Sequence, residues 1–305
     1  PGRVSVAAVD ALLYLPDRDL ETLRRAVRVP ALSPGWQTSL RQLLDDDPVG
    51  ALAWTGFREL RVTAIVRESA AVSSVHLAAL DGTRLPAARP GQYLAIRVPA
   101  GDPAPVRNYS LSSDPGADTY RISVKREPGG VASGYLHEML RPGAVLQAAA
   151  PRGEFVLDDG DGPVVLVSAG IGITPVLAML HRLAAHRSER EVWWLHAARK
   201  PGEQAFATEA RHLLAALPRA RTRVYYSGGT GPGGDPHGVT GRLSARRIAE
   251  LDLPPDATAY VCGPAGFIAD VADALRTAGL DPARIRSETF AALAPITPGV
   301  VDRPH

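Results

Sequence analysis

Cysteine occurs once in these 305 residues, at Cys262. A chain so equipped cannot build a disulfide framework or a four-cysteine cluster by itself, and a reducing compartment suits it. Lysine is nearly as scarce. Lys125 and Lys200 are the only two, so the 34 basic residues that face 32 acidic ones are almost all arginine. The resulting net charge of +2 gives no argument for a nucleic-acid partner or an anionic membrane surface. Long apolar runs are missing too. Ala11–Leu15 is too short for a secretory signal and lacks a basic flank and a cleavage site, while Pro163–Leu180 is interrupted by Gly170, Gly172, Thr174 and Pro175. The expectation is a cytoplasmic protein with no membrane span and no metal site. No repeat of fixed period recurs, and the one low-complexity stretch, Gly228–Gly238, reads as a mobile surface loop.

What is present suffices for two domains: the chain is long, 45% hydrophobic and 22% charged. Residues 1–57 read as a short helical segment, with Asp17 capping one helix and Ser33–Pro34 opening another. Residues 58–158 change to short alternating runs punctuated by Gly and Pro, the pattern of a small antiparallel barrel, with one helix at Val131–Leu140. From 162 to 290, near-continuous apolar strands alternate with helices. Strands buried on both faces lose their polar alternation, so this half reads as a doubly wound parallel α/β sheet. Residues 291–305 are proline-rich and read as a linker or tail.

Four local patterns carry chemistry. "SAGIGITP" ends the first α/β strand: Gly170 and Gly172 permit a tight turn, Thr174 is placed as N-cap and Pro175 as the first helical residue. Such a helix start suits a pyrophosphate, although the third glycine of the usual dinucleotide fingerprint is missing and no acid closes the second strand. "YVCGP" repeats the strand-to-helix turn at Gly263 and Pro264. It puts Cys262 at the carboxyl end of the sheet, where a buried structural thiol is the alternative reading. "EPGGVAS" gives the barrel's helix a glycine-rich start at Gly129, Gly130 and Ser133. "PVRNYSLSS" is the fourth: by alternation Arg107 and Tyr109 share one side of a strand and Asn108 and Ser110 the other, an arrangement that an ordinary edge strand also allows.

Taken in order, R-x-Y-S, the glycine-capped helix, G-x-G-x-x-P, C-G-P and a terminal E-x-F resemble the ferredoxin-NADP reductase superfamily, particularly the reductase part of flavohaemoglobins and oxygenase reductases, over Phe57–Phe290. The resemblance implies a flavin-dependent NAD(P)H oxidoreductase that passes electrons singly to an iron–sulfur partner. Alternatives are a reductase of free flavin, quinone or another small acceptor, and a non-enzymatic flavin module. It implies a flavin held by Tyr93, Arg107, Asn108, Tyr109, Ser110, Val124, Lys125, Gly130, Val131, Ala132, Ser133 and Phe290, with FAD favoured over FMN. It places the nicotinamide nucleotide at Gly170, Ile171, Gly172, Thr174, Pro175, Cys262, Gly263 and Pro264, and gives Ser110, Cys262 and Glu288 catalytic parts. NADH is favoured over NADPH, because Ser227 after the third α/β strand is followed by "GGTGPGG" rather than a cation, although Arg199 and Lys200 could substitute.

The first 57 residues resemble the region that joins a MOSC domain to a reductase in bacterial fusions in which a plant-type ferredoxin domain, with a 2Fe-2S cluster, follows. The expected partner is therefore such a ferredoxin, fused or separate, with an oxygenase possible downstream. The chain itself reads as a fragment of a longer electron-transfer protein.

Overall fold

The computed structural model describes residue 54, residues 56–230 and residues 238–290. The helices expected around Asp17 and Ser33, most of the glycine-rich loop and the tail at 291–305 lie outside these residues.

Among the described residues, six antiparallel strands come first: β1 Phe57–Arg67, β2 Val72–Ala79, β3 Tyr93–Arg97, β4 Val106–Ser110, β5 Tyr120–Lys125 and β6 Val145–Ala149, in the order β4-β3-β6-β1-β2-β5. A bridge between Leu111 and Ile122 ties the two end strands and closes the sheet into a barrel. Alternation fills its interior with Leu60, Leu77, Leu94, Ile96, Ile122 and Leu146, all fully buried. Each is worth roughly 1.5–3 kcal/mol when removed from water. Helix α1, Val131–Glu138, connects β5 to β6.

The second half alternates β7 Val164–Ala169, α2 Ile173–Ala185, β8 Val192–Ala198, α3 Ala207–Ala215, β9 Ala220–Tyr226, β10 Gly238–Thr240, α4 Ala245–Ala249, β11 Thr258–Gly263, α5 Ala265–Thr277 and β12 Ile285–Thr289. The sheet order is β10-β9-β8-β7-β11-β12, and every pair is parallel. Successive residues feed opposite faces. Leu166, Trp194 and Tyr260 pack with α2 and α3, while Val165, Trp193, Leu195 and Val261 pack with α4 and α5. The expected barrel and doubly wound sheet are both there. β10 and α4 are additions, since three and five residues are too few to show a period.

Strand order reverses between β7, which continues toward β10, and β11, which continues to β12. At such a switch point the carboxyl ends of the two strands diverge and leave a crevice for a ligand. Val72, Phe155 and Leu157 join the same apolar cluster as α2, so the barrel packs against this half.

Candidate functional site

Both glycine turns open at that switch point. After β7 the chain makes a 3-10 turn at Gly170–Gly172, with Gly170 at φ +55 and nothing within 4 Å of where its Cβ would be. Helix α2 starts at Ile173 with Gly172 as its cap, no side-chain cap and no acid in its first turn. Here the structure corrects the sequence reading: Thr174 is not the N-cap and Pro175 not the first residue of the helix. The 3-10 turn moves the start upstream, so both lie inside the first turn. The Thr174 hydroxyl bonds back to the Ile171 carbonyl at 3.0 Å, and the N–H that Pro175 lacks would have had no helical partner anyway. The C-G-P turn stands beside it. Cys262 is paired with Ser168 across the β7–β11 ladder, and its backbone presses on Gly172. The last residues of β12 complete this edge, with Glu288 paired to Cys262 and the Phe290 N–H bonded to the Gly263 carbonyl at 3.1 Å.

On the barrel, β4 pairs with β3 alone inside the sheet of the described residues, and the register sets Tyr109 opposite Leu94, Arg107 opposite Ile96 and Ser110 opposite Tyr93. Alternation thus sends Arg107 and Tyr109 to one face and Ser110 and Tyr93 to the other, so one ligand touching all of them must cross the end strand. Arg107 Nη1 donates to the Val106 carbonyl at 2.7 Å, which fixes the arm along its own strand. Asn108 is exposed. Val124 is buried and Lys125, at the end of β5, pairs with Glu127. Helix α1 is capped by Gly130 with no side-chain cap and no acid in its first turn. Val131 is exposed there and Ala132 buried. The Ser133 hydroxyl is spent locally, donating to the Gly130 carbonyl and accepting from the Glu127 N–H, both at 3.2 Å.

Electrostatics single out the seam between the halves. Burial pushes the Glu288 carboxyl up to about 7, and its buried Oε2 has no partner among the described residues. The Cys262 thiol is held well above its ordinary range by burial and then by the Glu288 charge. Burial also raises Tyr93, with Arg152 opposing and Glu288 adding to the shift, and takes Tyr109 up to about 12 against the pull of Arg107. The buried Ser110 hydroxyl has no partner among the described residues either. Orphaned polar atoms are rare in folded proteins. Two of them here, together with two helix starts that have no side-chain cap and no acid in the first turn, fit a ligand that brings phosphates and hydrogen-bonding ring edges.

Sequence reasoning missed two buried polar pairs. His196, fully buried on β8, bonds through Nδ1 to the Ser168 hydroxyl at 2.9 Å, and burial lowers it to about 4. Arg121 on β5 meets Glu209 on α3 at 2.7 Å. Neither leaves a local signal, because the partners lie 28 and 88 residues apart. Among the described residues no group of three His, Cys, Asp or Glu is placed to hold a metal ion, and no helix is long and apolar enough to cross a membrane.

Residues 59–157 match the oxidoreductase FAD-binding domain family, residues 166–273 the oxidoreductase NAD-binding domain family, and residues 4–46 the YiiM-like, 3-alpha helix domain family. The chain therefore belongs to the ferredoxin-NADP reductase superfamily: it is an oxidoreductase with an FAD-binding and a pyridine-nucleotide-binding domain. Within it, a flavohemoprotein from Deinococcus radiodurans is 42% identical over 242 residues, 78% of this chain and 60% of that protein. The flavohem-like FAD/NAD binding domain of nitric oxide dioxygenase from Vibrio cholerae superposes with a TM-score of 0.70 at 36% identity, covering 76% of this chain and 98% of that one. Phthalate dioxygenase reductase shares the fold at 24% identity and a TM-score of 0.63, covering 79% of this chain and 70% of that one. The chain spans about 60% of the length of the first curated relatives it matches.

Proposed function

We propose that this chain takes hydride from NAD(P)H onto bound FAD and hands electrons singly to an iron–sulfur partner of the ferredoxin type. Residues 58–158 are read as the flavin-binding unit, 162–290 as the nucleotide-binding unit and 291–305 as a linker. One observation carries the reading: among the described residues, Ser110 on the barrel and Glu288, paired to Cys262 at the C-G-P turn of the α/β half, both end in buried oxygens without a partner.

Each side chain then has a task. Arg107 supplies a fixed cation for phosphate, worth about 1.5–3 kcal/mol as a charge-assisted contact, and the α1 start at Gly130–Ser133 adds backbone N–H groups. Tyr109 and Phe290 offer flat faces to a ring system, Tyr93, Asn108, Val124 and Lys125 border it, and the Ser110 hydroxyl is free to donate a hydrogen bond to it. Gly170–Pro175 and Gly263–Pro264 hold the nicotinamide nucleotide's phosphates. Cys262 remains a neutral thiol and gives the nicotinamide an uncharged floor, while Glu288 holds a proton for part of the time near neutral pH. Bound FAD supplies the conversion of a two-electron donor into one-electron steps, so the protein needs to orient two rings and exclude water rather than provide a strong base.

NADH remains the favoured donor. Arg199 Nε is engaged by Glu203 Oε2 at 2.9 Å, which weakens its claim on a 2′-phosphate. Lys200, whose stem runs along Gly228, is the cation to test. Specificity constants for both nucleotides settle it: a higher value for NADPH that Lys200→Ala abolishes reverses the preference.

The acceptor follows from the sequence resemblance. The YiiM-like, 3-alpha helix domain match over 4–46 supports reading that segment as MOSC-linked. The ferredoxin that follows it, the oxygenase downstream and a cytoplasmic setting rest on the sequence resemblance and composition alone. A haem acceptor is the second reading, favoured by the 42% identity to a flavohemoprotein. NADH-driven reduction of added plant-type ferredoxin, compared with reduction of added ferric globin under nitrogen, separates the two. Reduction of neither, with rapid turnover on free flavin or quinone, points to a small acceptor instead.

A further inference from the structure

On the outward face of β5, Arg121 and Ser123 are polar yet buried, and Arg121 reaches across to the α/β half. Ser74 and Ser123 share a hydrogen bond at 2.9 Å, and Ser123 and Ser112 another at 2.7 Å. Arg121, 9% exposed, ends this chain of groups. Its Nε donates to the Ser112 hydroxyl at 3.1 Å and its Nη2 to the Ser112 carbonyl. Nη1 and Nη2 also reach the two Glu209 oxygens, at 3.0 and 2.7 Å. The Phe206 ring lies 5.1 Å from the guanidinium. Glu209 in turn meets His181 Nε2 at 2.6 Å. Burial alone would raise the Glu209 carboxyl, but hydrogen bonds from His181 and Arg121 outweigh it and hold it at about 2.

These partners belong to the working parts of the site. Ser112 is two residues beyond Ser110. His181 sits on α2, the helix that the Gly170–Gly172 turn opens, and that turn lies against β5. We propose that Arg121, acting through Glu209, is a positioning residue that sets the Ser110–Ser112 wall of the barrel against the nucleotide turn, and so governs how the nicotinamide meets the flavin. This rests on the function proposed above. A planar fork suits the task because it grips a backbone carbonyl, a hydroxyl and a bidentate carboxylate at once, which the point charge of a lysine cannot do. Simple adhesion between the halves would be served by any pair on the seam, and would not need a bond to the Ser112 carbonyl.

The test uses the full chain with Arg121→Lys and Glu209→Gln. Flavin retention and nucleotide Kd should stay within about threefold, while anaerobic flavin reduction slows by about tenfold or more, because small misplacements of reacting groups carry such costs. In the flavin-free protein, amide exchange at Ser112 and at Gly170–Gly172 should rise together in both variants. Wild-type reduction rates and exchange in Arg121→Lys overturn the proposal, as does slowing that tracks flavin loss alone. If Arg121→Lys does not fold, Glu209→Gln decides, since it keeps one acceptor for the guanidinium. A wild-type chain that neither nucleotide reduces would instead remove the proposed function, and the exchange measurement would still judge the coupling.

Discussion

A Cβ placed on Gly172 would stand 2.4 Å from the Cys262 carbonyl oxygen and 2.8 Å from the Gly263 nitrogen. The two turns are thus packed backbone against backbone, with no room for a side chain between them. Gly172→Ala should destabilise the chain by about 3 kcal/mol, the upper range for overpacking a site that cannot relax. It should also weaken nicotinamide nucleotide binding, whereas Gly170→Ala, where the Cβ meets open space but φ is positive, should cost only the backbone strain. Chemical denaturation and nucleotide titration of the pair make the comparison; equal effects would show that the contact is not the cause.

Acid stability should report His196. Its pKa falls from 6.5 to about 4 on folding, so its contribution is intact above pH 6.5 and is lost as the pH drops through 4. The difference corresponds to roughly 3 kcal/mol of pH-dependent stability. His196→Gln can keep a bond to Ser168 without titrating. Urea midpoints measured from pH 7 to pH 4 should fall less steeply for the variant than for the parent.

The single thiol gives a direct readout of the cleft floor. With its pKa held high and its side chain buried, Cys262 should resist iodoacetamide in the native chain and react only when the sheet opens. Mass spectrometry after timed alkylation at pH 8 measures this. Rapid native labelling would mean an exposed or activated thiol.

Glu288 should leave its mark on the pH profile of flavin reduction. Because burial raises its carboxyl to about 7, the neutral form prevails below that pH and the carboxylate above it. An inflection near pH 7 is expected in anaerobic reduction rates and should disappear in Glu288→Gln. The same shift penalises folding as the pH rises from 4.5 toward 7, so the variant should gain stability relative to the parent in alkaline buffer.

The parts of this protein that sequence makes visible are those whose cause is local. Apolar runs such as "PVVLVSAG" announce buried strands, and glycine pairs announce turns, because period and backbone freedom act within a few residues. The start of α2 was displaced because a 3-10 turn at Gly170–Gly172 consumes the positions that Thr174 and Pro175 would otherwise define. Arg121 carries no local signal of this kind. Only the fold brings Glu209 to it, and nothing in "YRISVK" signals that its polar face would be covered.

The strand order carries a consequence for how the molecule comes into being. β7 meets β8 after one short crossover, but its other neighbour, β11, follows only after α2, β8, α3, β9, β10 and α4. Closing such a long loop delays the pairing of Val164–Ser168 with Thr258–Cys262 relative to the β7-β8-β9 unit. In a refolding experiment the crevice between the two turns should therefore be the last part of the sheet to appear. Until it does, the nascent protein carries half of its nucleotide cleft and none of its far wall.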